Sequence, residues 1–153
     1  MSSTDNQGSD NRLAIVLRGE LPPRAELLKR LGVPATHERR RGERVEPGRM
    51  QGFDIWVLNL VEWEDFPGWD DARNGEQLFS SAVAWLEKLK AGLAGLDRTT
   101  LDAELLFVTM RRNPAEGRFH LPATLLAAAA NAGLRLTLSV IPPQAAGTPL
   151  DRF

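Results

Sequence analysis

The residues most able to do chemistry fall in two oppositely charged stretches. Between residues 54 and 76, seven acids (Asp54, Glu62, Glu64, Asp65, Asp70, Asp71 and Glu76) stand against Arg73 alone, a net charge of −6. Inside that stretch runs Trp63-Glu64-Asp65-Phe66-Pro67-Gly68-Trp69. Three large aromatics in a polar, Pro/Gly-punctuated segment are more than loop packing requires. Aromatics anchor protein interfaces, and acids around them steer a basic partner. Glu62, Trp63, Glu64, Asp65, Phe66, Trp69, Asp70 and Asp71 are therefore the candidate partner-binding residues. The competing reading folds the three aromatics back as a lid on the sheet edge and leaves the acids solvated. In that reading Asp70 and Asp71 favour the positive N-terminal end of the helix that follows. The acids lack the D-x-[DN]-x-[DN]-G spacing of a calcium loop, and no spacing singles out a glycosidase-type carboxylate pair.

The second stretch is basic. From residue 29 to 49, seven Lys and Arg face Glu38, Glu43 and Glu46, a net +4. Arg39, Arg40, Arg41 and Arg44 are the candidates for phosphate contacts. No aromatic interleaves with them, so a stacking platform for single strands is missing, and a solvated loop is the stronger reading. Elsewhere the chemistry is thin. The chain has no cysteine, which excludes disulfides, thiol catalysis and thiolate metal sites. Its two histidines, His37 and His120, have no Ser or Asp at motif spacing, and no G-x-S-x-G, G-x-G-x-x-G or Walker loop occurs. The expectation is a non-enzymatic module with no cofactor and no metal. Its partner would be a protein rather than a membrane or a nucleic acid.

These stretches need a scaffold to hold them. The 153 residues carry 19 Lys and Arg against 20 Asp and Glu, with 42% hydrophobic and 25% charged residues, a balance that supports one globular domain. Residues 1–11 and 142–153 lack apolar anchors and read as flexible tails around a domain at 12–141. No apolar run reaches the roughly 20 residues that span a bilayer, and no secretory signal opens the chain, so the expected location is cytoplasmic.

Within the domain, Leu13 to Leu17 reads as a buried strand. Pro22-Pro23 opens a helix with Ala25, Leu27, Leu28 and Leu31 on one stripe, and Gly32 and Pro34 stop it. Residues 35–51 read as a long exposed loop with at most a short strand near Val45. Residues 53–61 form a two-faced strand, with Phe53, Ile55 and Val57 opposite Trp56, Leu58 and Leu60. A loop at 62–74 leads into a long helix over 76–96, carried by Phe79, Val83, Leu86 and Leu93. Its Gly92 and Gly95 each cost up to about 1 kcal/mol relative to Ala. A strand over 104–110, a brief one over 119–121, a helix over 123–132 and a last strand over 134–140 complete the chain. In that last strand Leu134, Leu136, Leu138 and Val140 alternate with polar residues, so one face is wet. The sheet is then mostly antiparallel or mixed, because a parallel sheet is covered on both faces. The expected fold is an α+β two-layer sandwich, ferredoxin-like or related, with four to five strands and three helices.

The order of these signals resembles the bacterial family called domain of unknown function 4279. The resemblance rests on Leu31-Gly32 with Pro34, on Gly42, on Trp56, on the helix from Phe79 to Leu96, and on Leu134 to Val140. It covers most of Leu13 to Ile141, and the acidic loop after Trp56 departs from the pattern. The resemblance implies a fold and no activity. By analogy with similar small domains, it implies an immunity protein that neutralises a basic cognate toxin.

Overall fold

The computed structural model describes residues 11–64, 72–110 and 120–141. Their elements run β1 (Asn11–Gly19), α1 (Arg24–Leu31), β2 (His37–Arg39), β3 (Arg44–Glu46), β4 (Arg49–Met50), β5 (Asp54–Trp63), α2 (Ala72–Leu78), α3 (Ser80–Ala94), β6 (Leu101–Thr109), α4 (Ala123–Asn131) and β7 (Arg135–Val140). The fold is α+β. A five-stranded mixed sheet has the order β2-β5-β1-β6-β7, and β3 and β4 form a separate two-stranded ribbon. Pairings are antiparallel except β6 with β7, which is parallel through the α4 crossover.

β1 is the central strand, and its sequence suits that place. Leu13, Ile15 and Leu17 face the helices, while Ala14 and Val16 lie on the opposite face, all essentially without solvent contact. The helix-side core adds Leu27 and Leu31 of α1, Leu86, Leu89 and Leu93 of α3, and Leu125, Ala128 and Ala129 of α4. Fully burying each leucine contributes about 1.5–3 kcal/mol. The opposite face holds a smaller cluster, Ala14, Val16, Ile55, Val57, Leu106 and Val108, with Ile141 against it. Charged pairs border it: Arg12 Nε with Glu62 at 2.7 Å, and Arg135 Nη2 with Glu104 at 3.3 Å. Arg18 lies 5.8 Å from the centre of the Phe53 ring.

Several elements depart from the sequence reading. Asn11 belongs to β1 rather than to a tail. It is buried and accepts a 2.6 Å hydrogen bond from the Thr109 hydroxyl. The expected long helix is two helices, α2 and α3, which meet at the buried Phe79. His120 and Leu121 are not in a strand, and Phe119 lies outside the described residues. The expected exposed loop at 35–51 holds β2, β3 and β4, and β3 contains Val45. Three short strands thus intervene between α1 and β5, so the sandwich is not a plain ferredoxin repeat. The expected wet face of β7 is reversed in part: Thr137 and Ser139 are half-buried, with Thr137 bonded to Glu104, while Leu138 and Val140 on the helix side are exposed because β7 lies at the sheet edge.

Candidate functional site

The acidic stretch begins as strand. β5 carries it to Trp63, and the chain returns to described structure at Ala72, where α2 starts. Strict alternation from Trp56 and Leu58 would put Trp63 on the face away from the helices. A bulge reverses this. Leu13 opposes Val61 while Ala14 opposes Asn59, which leaves Leu60 without a partner on β1. One extra residue inverts every later side chain. Trp63 therefore turns into the helix-side core, and Glu62 turns to the other face beside Arg12.

Trp63 is only 7% exposed. Its ring meets Phe79 edge-on at 5.3 Å and 80°, and lies 5.7 Å from Phe107. Each such aromatic pair contributes about 0.5–1.5 kcal/mol beyond burial. Trp63 is thus a core residue that fixes the stem of the acidic segment, which corrects its assignment as an exposed interface aromatic. Glu62 is exposed and ion-paired across the strands with Arg12. Glu64 is exposed at the point where the stem ends. Asp65, Phe66, Trp69, Asp70 and Asp71 lie outside the described residues.

Below Trp63 a buried polar network ties the three central strands. The Asn11 amide donates to the Trp63 carbonyl at 3.4 Å, and the Thr109 hydroxyl donates to Asn11 Oδ1 at 2.6 Å. Strand direction gives this end of the sheet a further property. β1 starts here, and β5, β6 and β7 finish here. Asn11, Glu64, Met110 and Ile141, the last described residues before residues 1–10, 65–71, 111–119 and 142–153, all mark the same end.

The basic stretch is held differently. Asp54, at the start of β5, accepts from the Leu21 N–H at 3.0 Å and the Arg41 N–H at 2.8 Å. Arg40 reaches Glu38 at 2.7 Å, the Pro22 carbonyl at 2.7 Å and Asp54 at 3.6 Å, and its side chain is 15% exposed. Arg24 of α1 pairs with Glu38 and Glu43, and the Glu43 hydrogen bond raises its already high pKa. Arg39 donates its Nε–H to His37 Nε2 at 3.2 Å. Of the four candidate phosphate contacts, Arg40 is therefore a clip inside the fold and Arg39 is half-buried; Arg41 and Arg44 are exposed. This corrects the picture of a uniformly solvated arginine loop. Sequence reading missed Asp54 as its organiser, because the partners are distant in sequence and polar.

At the opposite end of the sheet a cleft of about 360 Å³ lies among Glu20, Pro22, Arg30, Asp97 and Thr100. Two of its charged side chains, Arg30 and Asp97, are occupied within the chain. Arg30 Nη1 donates to the Gly95 carbonyl at 2.9 Å. Asp97 accepts from both the N–H and the hydroxyl of Thr99, at 2.9 and 2.6 Å, and this lowers its pKa. Among the described residues no group of three His, Asp or Glu could hold a metal ion, and no helix is long and apolar enough to cross a membrane. The chain matches no protein-family model, no curated protein and no solved structure.

Proposed function

We infer that the chain is a protein-binding module of the immunity class, which neutralises a basic partner, a cognate bacterial toxin, in the cytoplasm. The observation that carries this reading is the anchoring of the acidic stretch. Trp63, Phe79 and Phe107 form one aromatic cluster across β5, the start of α3 and β6, so the stem that ends at Glu64 is fixed. A pre-organised stem lowers the ordering cost of binding. Acids that follow it raise the rate of encounter with a basic surface, and an aromatic such as Trp69 supplies the hot spot. A nucleic-acid role has less support, because Glu38, Glu43 and Asp54 already occupy Arg24 and Arg40.

The test joins capture to protection. A quadruple reversal of Glu64, Asp65, Asp70 and Asp71 to Lys is compared with wild type in affinity capture from the source cell. The expected result is a basic protein retained by wild type, released by salt and lost by the variant. Expressed alone, that protein should arrest growth, and co-expression of wild type should relieve the arrest. Equal capture by both forms would remove the acidic stretch from the functional account.

A further inference from the structure

The described residues expose six large hydrophobics, and three of them belong to two elements that pack on one another: Leu126 of α4, with Leu138 (49%) and Val140 (63%) of β7. α4 packs on β7, and among the described residues β7 ends the strand order with only β6 as neighbour. Exposed edge strands are usually protected by Lys, Pro or a bulge. β7, with the sequence RLTLSV, has none of these, and its ladder with β6 is regular.

Which backbone groups are free follows from one hydrogen bond. The Ile141 N–H donates to the Thr109 carbonyl at 2.9 Å. Period two then directs the odd-numbered residues 135, 137 and 139 towards β6. The even-numbered residues Leu136, Leu138 and Val140 point their N–H and C=O groups away from the sheet. The register with Leu105 and Phe107 places these same three side chains on the helix side.

We propose that β7 is a homodimer edge: two copies pair antiparallel about a two-fold axis through Leu138, which joins their sheets into one of ten strands. This register is self-complementary. Leu138 faces its own copy and Leu136 faces Val140 of the second copy, so all outward groups of the three residues are satisfied by six hydrogen bonds. Apolar side chains meet on one face, while Thr137 meets Ser139 on the other. Arg135, the only charge in the strand, stands at opposite ends of the pair, so like charges stay apart. A register shifted by one residue would oppose side chains of different faces. Six residues span only about 20 Å, which is short of the roughly 800 Å² per partner that a stable interface buries. The exposed residues of α4, Ala123, Leu126, Ala127 and Ala130, belong to the helix layer on the same side of the sheet, and the proposed dimer draws its further contact from them. The small residues of α4 allow two helices to approach closely.

The experiment is sedimentation of the full chain over a concentration series, with amide exchange in parallel. The expected species is twice 16.9 kDa. Leu138→Lys should weaken self-association at least tenfold. Leu138→Pro should do the same, because it removes an outward N–H and leaves the ladder to β6 intact. Circular dichroism should show both variants folded. In wild type, exchange at Leu136, Leu138 and Val140 should slow as concentration rises, a readout that stands even if a variant fails to fold. A wild-type monomer at high micromolar concentration, a dimer unaffected by Leu138→Lys, or concentration-independent exchange at these three amides would each overturn the proposal.

Discussion

Trp63 and Arg40 are the residues whose roles change most between sequence and structure. Among acids in a Pro/Gly-punctuated stretch of sequence, Trp63 carries every sign of a contact residue, yet it packs on Phe79 and Phe107. Trp63→Ala should therefore destabilise the fold by about 3–5 kcal/mol, the scale of a large core truncation. Thermal melts check this, and Glu64→Ala should melt with wild type. Arg40 looks like one of a run of solvated arginines, yet it holds Glu38, Asp54 and the Pro22 carbonyl. Arg40→Ala removes a charge-assisted hydrogen-bond set and leaves Glu38 and Asp54 half-served. The cost should be about 1.5–3 kcal/mol. Arg44→Ala, on an exposed side chain, should stay within about 0.5 kcal/mol. Urea denaturation of the two variants separates the clip from its neighbour, and similar losses from both would refute the assignment.

At the scale of elements, Gly92 shows how tertiary packing can oppose local propensity. In a helix interior Gly costs about 1 kcal/mol relative to Ala, so Gly92→Ala ought to stabilise α3. Yet a Cβ at that position would stand 2.6 Å from the Arg30 carbonyl and 3.1 Å from Leu31, where α1 crosses α3. Overpacking of this kind costs about 1–3 kcal/mol. The expected result is a net loss of stability, read as a lower urea midpoint, while Ala91→Gly on the exposed face should lose only the propensity difference. The elements that were legible in sequence are those with apolar periodicity. β1, α1 with its Gly32 stop, the two-faced β5 and β6, and α4 follow from Leu, Ile and Val spacing alone. β2, β3 and β4 carry almost no apolar residues, and β2 is held by backbone pairing to β5 and the network around Asp54, so no period announces it. The break at Phe79 is hidden because the apolar spacing runs on through it. The bulge at Leu60 is hidden for a related reason. Nothing in Asn59-Leu60-Val61 marks an extra residue, and that residue decides which face Trp63 occupies.

For the whole molecule, the sheet is mixed, as expected, and its core helices α1, α3 and α4 lie on one side. In β7 it is the apolar Leu138 and Val140 that meet solvent at the sheet edge, while Thr137 and Ser139 are half-buried. The candidate site was legible as a charge pattern but not as geometry, since its stem depends on an aromatic cluster drawn from β5, β6 and Phe79. The central place of β1 has a consequence for how the protein is made. β1 is the first of the described strands, but its two neighbours are β5 and β6, and the bond from Thr109 to Asn11 spans 98 positions. At a synthesis rate of about 5–20 residues per second, roughly 5–20 s separate the completion of β1 from that of β6. Throughout that interval Leu13 to Leu17, the longest unbroken apolar run among the described strands, has at least one bare edge and no finished layer of helices above it. The nascent chain thus carries an apolar segment that stays without its second neighbour until β6 is translated, and the sheet cannot close before then.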